Sequence, residues 1–135
     1  MDYKIDEIEG IGPVYGEKLK VAGINSVANL LEKCAGKKGR VALANETGID
    51  EKLILKWTNH ADLFRINGIG PQFSELLEEA GVDTVKELRT RNAENLYAKI
   101  QEVNGAKKLV RRLPSLDQLT KMIEEAGKSE VRMTY

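Results

Sequence analysis

The chain has 135 residues, with 21 Lys plus Arg against 21 Asp plus Glu, a formal net charge of zero and 41% hydrophobic residues. The balance holds along the length, with 10 charges of each sign in 1–65 and 11 of each in 66–135, which excludes a strongly basic nucleic-acid binder. A single cysteine, Cys34, excludes a disulfide framework and a cysteine metal site, and no run approaches the roughly 18 apolar residues of a membrane span.

The opening MDYKIDEIEG is charged and has no apolar centre, so it reads as no signal peptide, and a cytoplasmic protein is the expectation. Tyr3–Ile8 forms a short, clipped helical lead-in. Pro13–Ala22 is predicted helical, and Val27–Cys34 is an amphipathic helix with Val27, Leu30 and Leu31 inward. Gly36–Gly39 breaks it, and Arg40–Thr47 forms another helix through Val41, Leu43 and Ala44, ended by Gly48. Asp50 caps a longer helix whose apolar stripe is Leu53, Ile54, Trp57 and Ala61, continuing to Leu63, Phe64 and Ile66. Helices at Pro71–Ala80, Val85–Arg91 and Ala93–Val103 follow, the last capped by Asn92. Ala106–Leu113 is expected to be helical until Pro114 stops it. Ser115 caps a final helix carrying Leu116, Leu119, Met122 and Ile123, and Lys128–Tyr135 reads as a loose tail. No stretch alternates as a strand does, so the fold class is all-α.

Ile8–Leu30 recurs as Ile66–Leu88 at an offset of 58 residues without a gap. Gly10, Ile11, Gly12, Pro13, Glu17, Leu19, Ala22, Gly23, Val27 and Leu30 reappear as Gly68, Ile69, Gly70, Pro71, Glu75, Leu77, Ala80, Gly81, Val85 and Leu88. Such agreement signals duplication. The glycines permit a tight turn, Ile11 and Ile69 plug it onto the core, and Pro13 and Pro71 suit a first helical position. Gly23 and Gly81 fall where a helix ends in a left-handed residue, and Ser26 and Thr84 cap the next helix. Two lobes are expected, 1–60 and 61–128, packed as one compact domain, with 129–135 as a tail.

The pattern resembles the helix-hairpin-helix motif of DNA repair and replication proteins. GIGPVYGEKLKVAGINSVANL is similar to the hairpin segment of repair DNA polymerases and DNA ligases. The whole chain resembles an uncharacterised bacterial family of tandem helix-hairpin-helix proteins, a domain of unknown function. TGIDEKLILKWTNHADLFRI (47–66) and EVNGAKKLVRRLPSLDQL (102–119) carry that second likeness. The resemblance implies a SAM-like arrangement of helical repeats. It also implies that the turns hold DNA backbone phosphates, through Gly10, Ile11, Gly12, Val14 and Tyr15 with Lys18 in the first repeat and Gly68, Ile69, Gly70, Gln72 and Phe73 in the second. In related hairpins a monovalent cation bridges loop carbonyls and phosphate, and such an ion is the one cofactor the likeness allows.

An uncapped helix N-terminus carries partial positive charge and suits an anion. Acid-free basic runs add to it: Lys33, Lys37, Lys38 and Arg40, and Lys107, Lys108, Arg111 and Arg112. The second repeat departs from the DNA-binding pattern. Where the first has Glu17, Lys18 and Lys20, it has Glu75, Leu76, Glu78 and Glu79, whose carboxylates repel DNA. The first hairpin is therefore the better candidate. Two partner classes stand at this point: duplex or junction DNA, bound weakly and without sequence preference, or a protein partner with the hairpins as structural connectors. Zero net charge and the acidic second hairpin motivate the latter. Tyr15 and Phe73, at the same place in both repeats, either cover apolar surface or meet that partner. No catalytic constellation is found. His60 is alone, Cys34 has no nearby base, Trp57 belongs to a core stripe, and the Gly-Ile-Gly runs lack the preceding strand of a dinucleotide fingerprint. A non-enzymatic protein is expected.

Overall fold

Two segments 58 residues apart, counted from Gly10 to Gly68, make the same backbone hydrogen bonds. In the computed structural model, which describes residues 3–135, the Ile11 amide donates to the Ile8 carbonyl at 3.3 Å and the Ile69 amide to the Ile66 carbonyl at 3.1 Å. Farther on, the Ile24 amide donates to the Leu19 carbonyl and the Val82 amide to the Leu77 carbonyl, both at 2.8 Å. These bonds close the helix ends at Gly23 (φ 89°) and Gly81 (φ 93°), where a left-handed residue satisfies the last carbonyls. The next helix starts the same way in each repeat. Ser26 Oγ accepts the Asn29 amide at 3.1 Å, and Thr84 Oγ1 accepts the Glu87 amide at 3.2 Å. The duplication read from residue types is therefore also a duplication of these backbone hydrogen bonds and caps.

The described residues are all-helical. A 3₁₀ turn at Ile5–Glu7 precedes α1 (Gly12–Val21), α2 (Val27–Cys34), α3 (Lys37–Thr47), α4 (Glu51–Leu63), α5 (Pro71–Glu79), α6 (Val85–Leu88), α7 (Ala93–Lys107) and α8 (Leu116–Lys128). The one extended pairing described is an isolated antiparallel bridge between Lys4 and Ser26. No helix of the described residues is long and apolar enough to cross a membrane. The chain divides into two compact units, one running to Asp62 and taking back Arg132–Tyr135, the other Leu63–Val131.

In the first unit Ile5, Ile8, Ile11, Leu19, Ile24, Leu30, Leu43, Ile54 and Trp57 are buried, and the half-buried Tyr15 ring meets Trp57 at 5.1 Å between centroids, tilted by 59°. Two expectations fail here. The break expected over Gly36–Gly39 is shorter and earlier: α2 ends at Cys34, Gly36 is the N-cap and α3 already begins at Lys37. Gly39 lies inside that helix because α2 passes close by, and a Cβ there would fall 1.8 Å from the Lys33 carbonyl oxygen. The inward face of α3 also differs, with Arg40 2% exposed and Val41 36% exposed.

The last residues are not a loose tail. The Thr134 amide donates to the Ala35 carbonyl at 2.8 Å, and Met133 is buried. Arg40 accounts for this closure. Its Nη1 donates to the Cys34 and Ala35 carbonyls at 2.9 and 3.0 Å, and its Nη2 to the Thr134 carbonyl at 2.7 Å. The Tyr135 ring lies 5.6 Å from the guanidinium carbon. A planar cation with forked donors thus gathers the carbonyls left over at the end of α2 and ties the C-terminal chain to them.

The core of the second unit joins Leu63, Ile66, Ile69, Phe73, Leu76, Leu77, Val82, Val85, Leu88, Leu96, Ile100, Leu119, Met122 and Ala126. The helix expected over Ala106–Leu113 does not form. Instead α7 runs to Lys107 and ends on Lys108 in the left-handed region, φ 51°. The Asn104 side chain then clamps the chain beyond it, donating from Nδ2 to the Val110 carbonyl and accepting the Val110 amide at Oδ1, each at 3.0 Å. The residue before Pro114 also disfavours helix. Leu109, Val110 and Leu113 pack on the core from this extended stretch. The helix expected over Val85–Arg91 stops at Leu88.

Candidate nucleic-acid interface

The first hairpin is open. Gly10 (φ 90°) and Gly12 (φ 64°) both take the left-handed region, and a Cβ on either would meet nothing within 4 Å. Ile11 between them is buried at 1% exposure, as its role of plug requires. The backbone therefore leaves the core at Gly10, turns, and enters α1 with Pro13 in the first turn. With Ile11 as N-cap, Tyr15 is the first residue whose amide reaches the cap carbonyl. The amides of Gly12 and Val14 remain without an intrahelical acceptor, so Tyr15, expected to offer its amide, belongs to the helical ladder. Lys18 is exposed one turn along α1, and Lys20 pairs with Asp6 at 3.5 Å.

The surroundings of this turn are acidic. Asp6, Glu7 and Glu9 line a shallow hollow of about 340 Å³ together with Gly10 and Gly12. Glu7 also accepts the Lys4 amide at 2.7 Å. The signal lies in IDEIEG, just before the hairpin, whereas the charges that distinguish the two repeats lie after it. These carboxylates lower the potential at the amides and limit the affinity for any anion.

The second hairpin differs in two ways. Gly68 repeats the positive φ of Gly10 at 92°, but Gly70 is extended with φ −113° and serves as N-cap of α5. The amides of Gln72 and Phe73 are those without an intrahelical acceptor. Second, the turn is covered by α8: the Asn67 amide donates to the Glu125 carboxylate at 3.2 and 3.3 Å, and a Cβ on Gly68 would come 2.9 Å from Met122 Cε. An internal carboxylate thus stands where an anion would approach. Ile69 is buried, and Phe73 is packed into the core at 8% exposure.

The basic residues separate. Lys37 and Lys38 are exposed in the first turn of α3. Arg40 is buried and is not a surface cation; its charge serves the carbonyl cluster described above. Because 108–114 is not helical, the second basic run has no single helical face. Lys107 pairs with Glu79 at 2.5 Å. Lys108 and Arg111 are exposed. Arg112 lines a groove of about 650 Å³ with Asn67, Gly68, Gln118, Lys121 and Glu125. Of the four cations, Arg112 is the one that lines the groove at the second hairpin, and Lys121, absent from the sequence reading, joins it there.

Cys34 is buried, and that burial pushes its thiol up to about 11 against the milder opposing pull of Lys33 and Arg40. His60 is buried at 1% exposure. Among the described residues, no group of three or more His, Cys, Asp or Glu side chains is gathered as metal ligands would be.

Comparison with known families places residues 9–129 in the family described as a domain of unknown function, DUF4332, and the chain belongs to that family. Comparison with curated proteins and with solved structures gives no match.

Proposed function

We propose that this member of a family without an assigned activity is a non-enzymatic tandem helix-hairpin-helix module that holds the DNA backbone through its first hairpin. Binding is weak and independent of sequence, because amide-to-phosphate contacts position a protein on a duplex but read no base. The observation that carries this reading is the open Gly10–Gly12 turn, with two glycines at positive φ, the second of them the first residue of a ten-residue helix. The Gly12 and Val14 amides, the helix dipole and Lys18 are what a phosphate would meet there. The second hairpin, occupied by Glu125, contributes little. With so few contacts and three carboxylates beside them, the dissociation constant is expected at about micromolar or weaker in physiological salt.

A second reading, a protein-interaction module, draws support from two other observations. Val14 and Val21 are 68% and 80% exposed, and the second hairpin is closed by its own chain. The readings part in a fluorescence-anisotropy titration of labelled duplex and branched DNA from low to physiological salt. The DNA reading expects salt-sensitive binding that the Gly10→Glu/Gly12→Glu variant loses while its circular dichroism stays helical. No binding at low salt retires it in favour of a protein partner.

A further inference from the structure

The sequence holds two Asn-Gly pairs, Asn67–Gly68 and Asn104–Gly105. In such a pair the backbone nitrogen that follows the asparagine has no Cβ beside it, and it can reach the side-chain carbonyl carbon to close a five-membered ring. The fold treats the two pairs in opposite ways.

Asn104 is held. It lies in the last turn of α7, where the Gly105 amide belongs to the helical ladder. Its carbonyl accepts the Lys108 amide at 2.8 Å. Its Nδ2 donates to the Val110 carbonyl and its Oδ1 accepts the Val110 amide, each at 3.0 Å. Ring closure at this pair must break both side-chain bonds and open the helix end.

Asn67 is not held in this way. Asn67 and Gly68 are exposed, in the turn that the Ile69 amide closes on the Ile66 carbonyl. Gly68 sits inside that turn at φ 92°. Among the described residues, neither the Gly68 amide nor the Asn67 side chain makes a hydrogen bond. The Glu125 contact engages the backbone amide of Asn67 and leaves its side chain alone.

We propose that Asn67 is a site of spontaneous deamidation through a succinimide ring formed with Gly68, and that the Asn104–Val110 clamp shields the other pair. Hydroxide takes the Gly68 amide proton, and the nitrogen attacks Asn67 Cγ. The new N–Cγ bond forms as the Cγ–Nδ2 bond breaks, and Nδ2 leaves as ammonia after taking a proton from water. A water molecule then opens the ring at either of its carbonyls, which leaves an aspartyl or an isoaspartyl residue at 67. Either product adds a carboxylate to the turn that Glu125 covers. The isoaspartyl product also adds a methylene to the backbone between Ile66 and Ile69, lengthening the loop that their hydrogen bond closes.

Mass spectrometry of tryptic digests, taken as the folded protein ages in mildly alkaline buffer, tests this. Peptides 66–86 and 100–107 each hold one asparagine, so the two sites report separately. Conversion in 66–86 is expected to run about tenfold or more ahead of that in 100–107, which waits on the opening of a helix end. Isoaspartate in 66–86 marks passage through the ring. In urea both pairs are released, and the two rates are expected to converge. Equal rates in the folded protein, or faster conversion in 100–107, overturn the proposal. So does acid at 67 without isoaspartate, or a rate ratio that urea leaves unchanged, which would assign the selection to neighbouring sequence rather than to the fold.

Discussion

The Glu125 carboxylate accepts the Asn67 amide with its two oxygens at 3.2 and 3.3 Å, 58 residues away in sequence, and so covers the second of the two repeated turns. The equivalent of Asn67 in the first repeat is Glu9, which lines an open hollow. Glu125→Gln keeps an acceptor for the amide and removes the charge. At low salt the variant is expected to bind duplex DNA a few-fold more tightly, and the slope of log affinity against log salt should steepen by about one, the increment for one added phosphate contact. Unchanged affinity and slope would make Glu125 a structural cap alone.

Arg40 is expected to matter for stability rather than for binding. Arg40→Met keeps much of the volume but removes the charged donors from the Cys34, Ala35 and Thr134 carbonyls, of which Ala35 keeps the Thr134 amide, at a cost of about 2–4 kcal/mol in urea unfolding. Removal of Thr134–Tyr135 opens the same cluster from its other side and should destabilise in the same sense. A loss below about 0.5 kcal/mol in both cases, the ordinary range for a surface substitution, would contradict the closure.

Two glycine substitutions should move in opposite directions. Gly39→Ala drives a methyl to 1.8 Å from the Lys33 carbonyl and is expected to cost about 3 kcal/mol, because α2 and α3 must separate. Gly105→Ala in α7 meets nothing within 4 Å and is expected to gain about 0.5 kcal/mol from helix propensity. Thermal midpoints of the two variants against the parent check both signs.

Cys34 is expected to resist alkylation. With the folded thiol near 11 and an unfolded thiol near the ordinary value of about 8.5, the thiolate fraction at pH 8 falls by about two hundredfold on folding. Because the folded value is raised, the thiol contributes to stability most fully below the unfolded pKa, and the contribution is lost as pH rises through about 8.5 toward 11. Iodoacetamide labelling with and without urea at pH 8 measures the protection. Equal rates would contradict the burial.

What was legible in the sequence was local and repeated. Gly23 with Gly81, and Ser26 with Thr84, announce the helix ends and starts, because caps are specified by residues a few positions apart. The all-helical class followed from helical apolar spacing without strand-like alternation, together with the family resemblance. What stayed hidden was set by distant partners. Gly39 reads as a breaker until the Lys33 carbonyl is seen beside it. Arg40 reads as a surface cation because its third acceptor, Thr134, lies 94 residues away. The basic run 107–112 reads as a helix face until the Asn104 side chain is found holding Val110 out of helix. At the candidate site, the open turn at Gly10–Gly12 was legible from its glycines. The closed turn at Gly68 was not, because the Glu125 that covers it belongs to another helix.

An amide proton–nitrogen NMR titration of the labelled protein with a short duplex at low salt tests most directly whether the first hairpin holds DNA. Phosphate held at the first hairpin should shift the Gly12 and Val14 amides first and most, then the Lys18 region, and leave Gln72 and Phe73 nearly unmoved while Glu125 is present. Shifts confined to the second hairpin or to residues 107–112, or no shift at all, would contradict it.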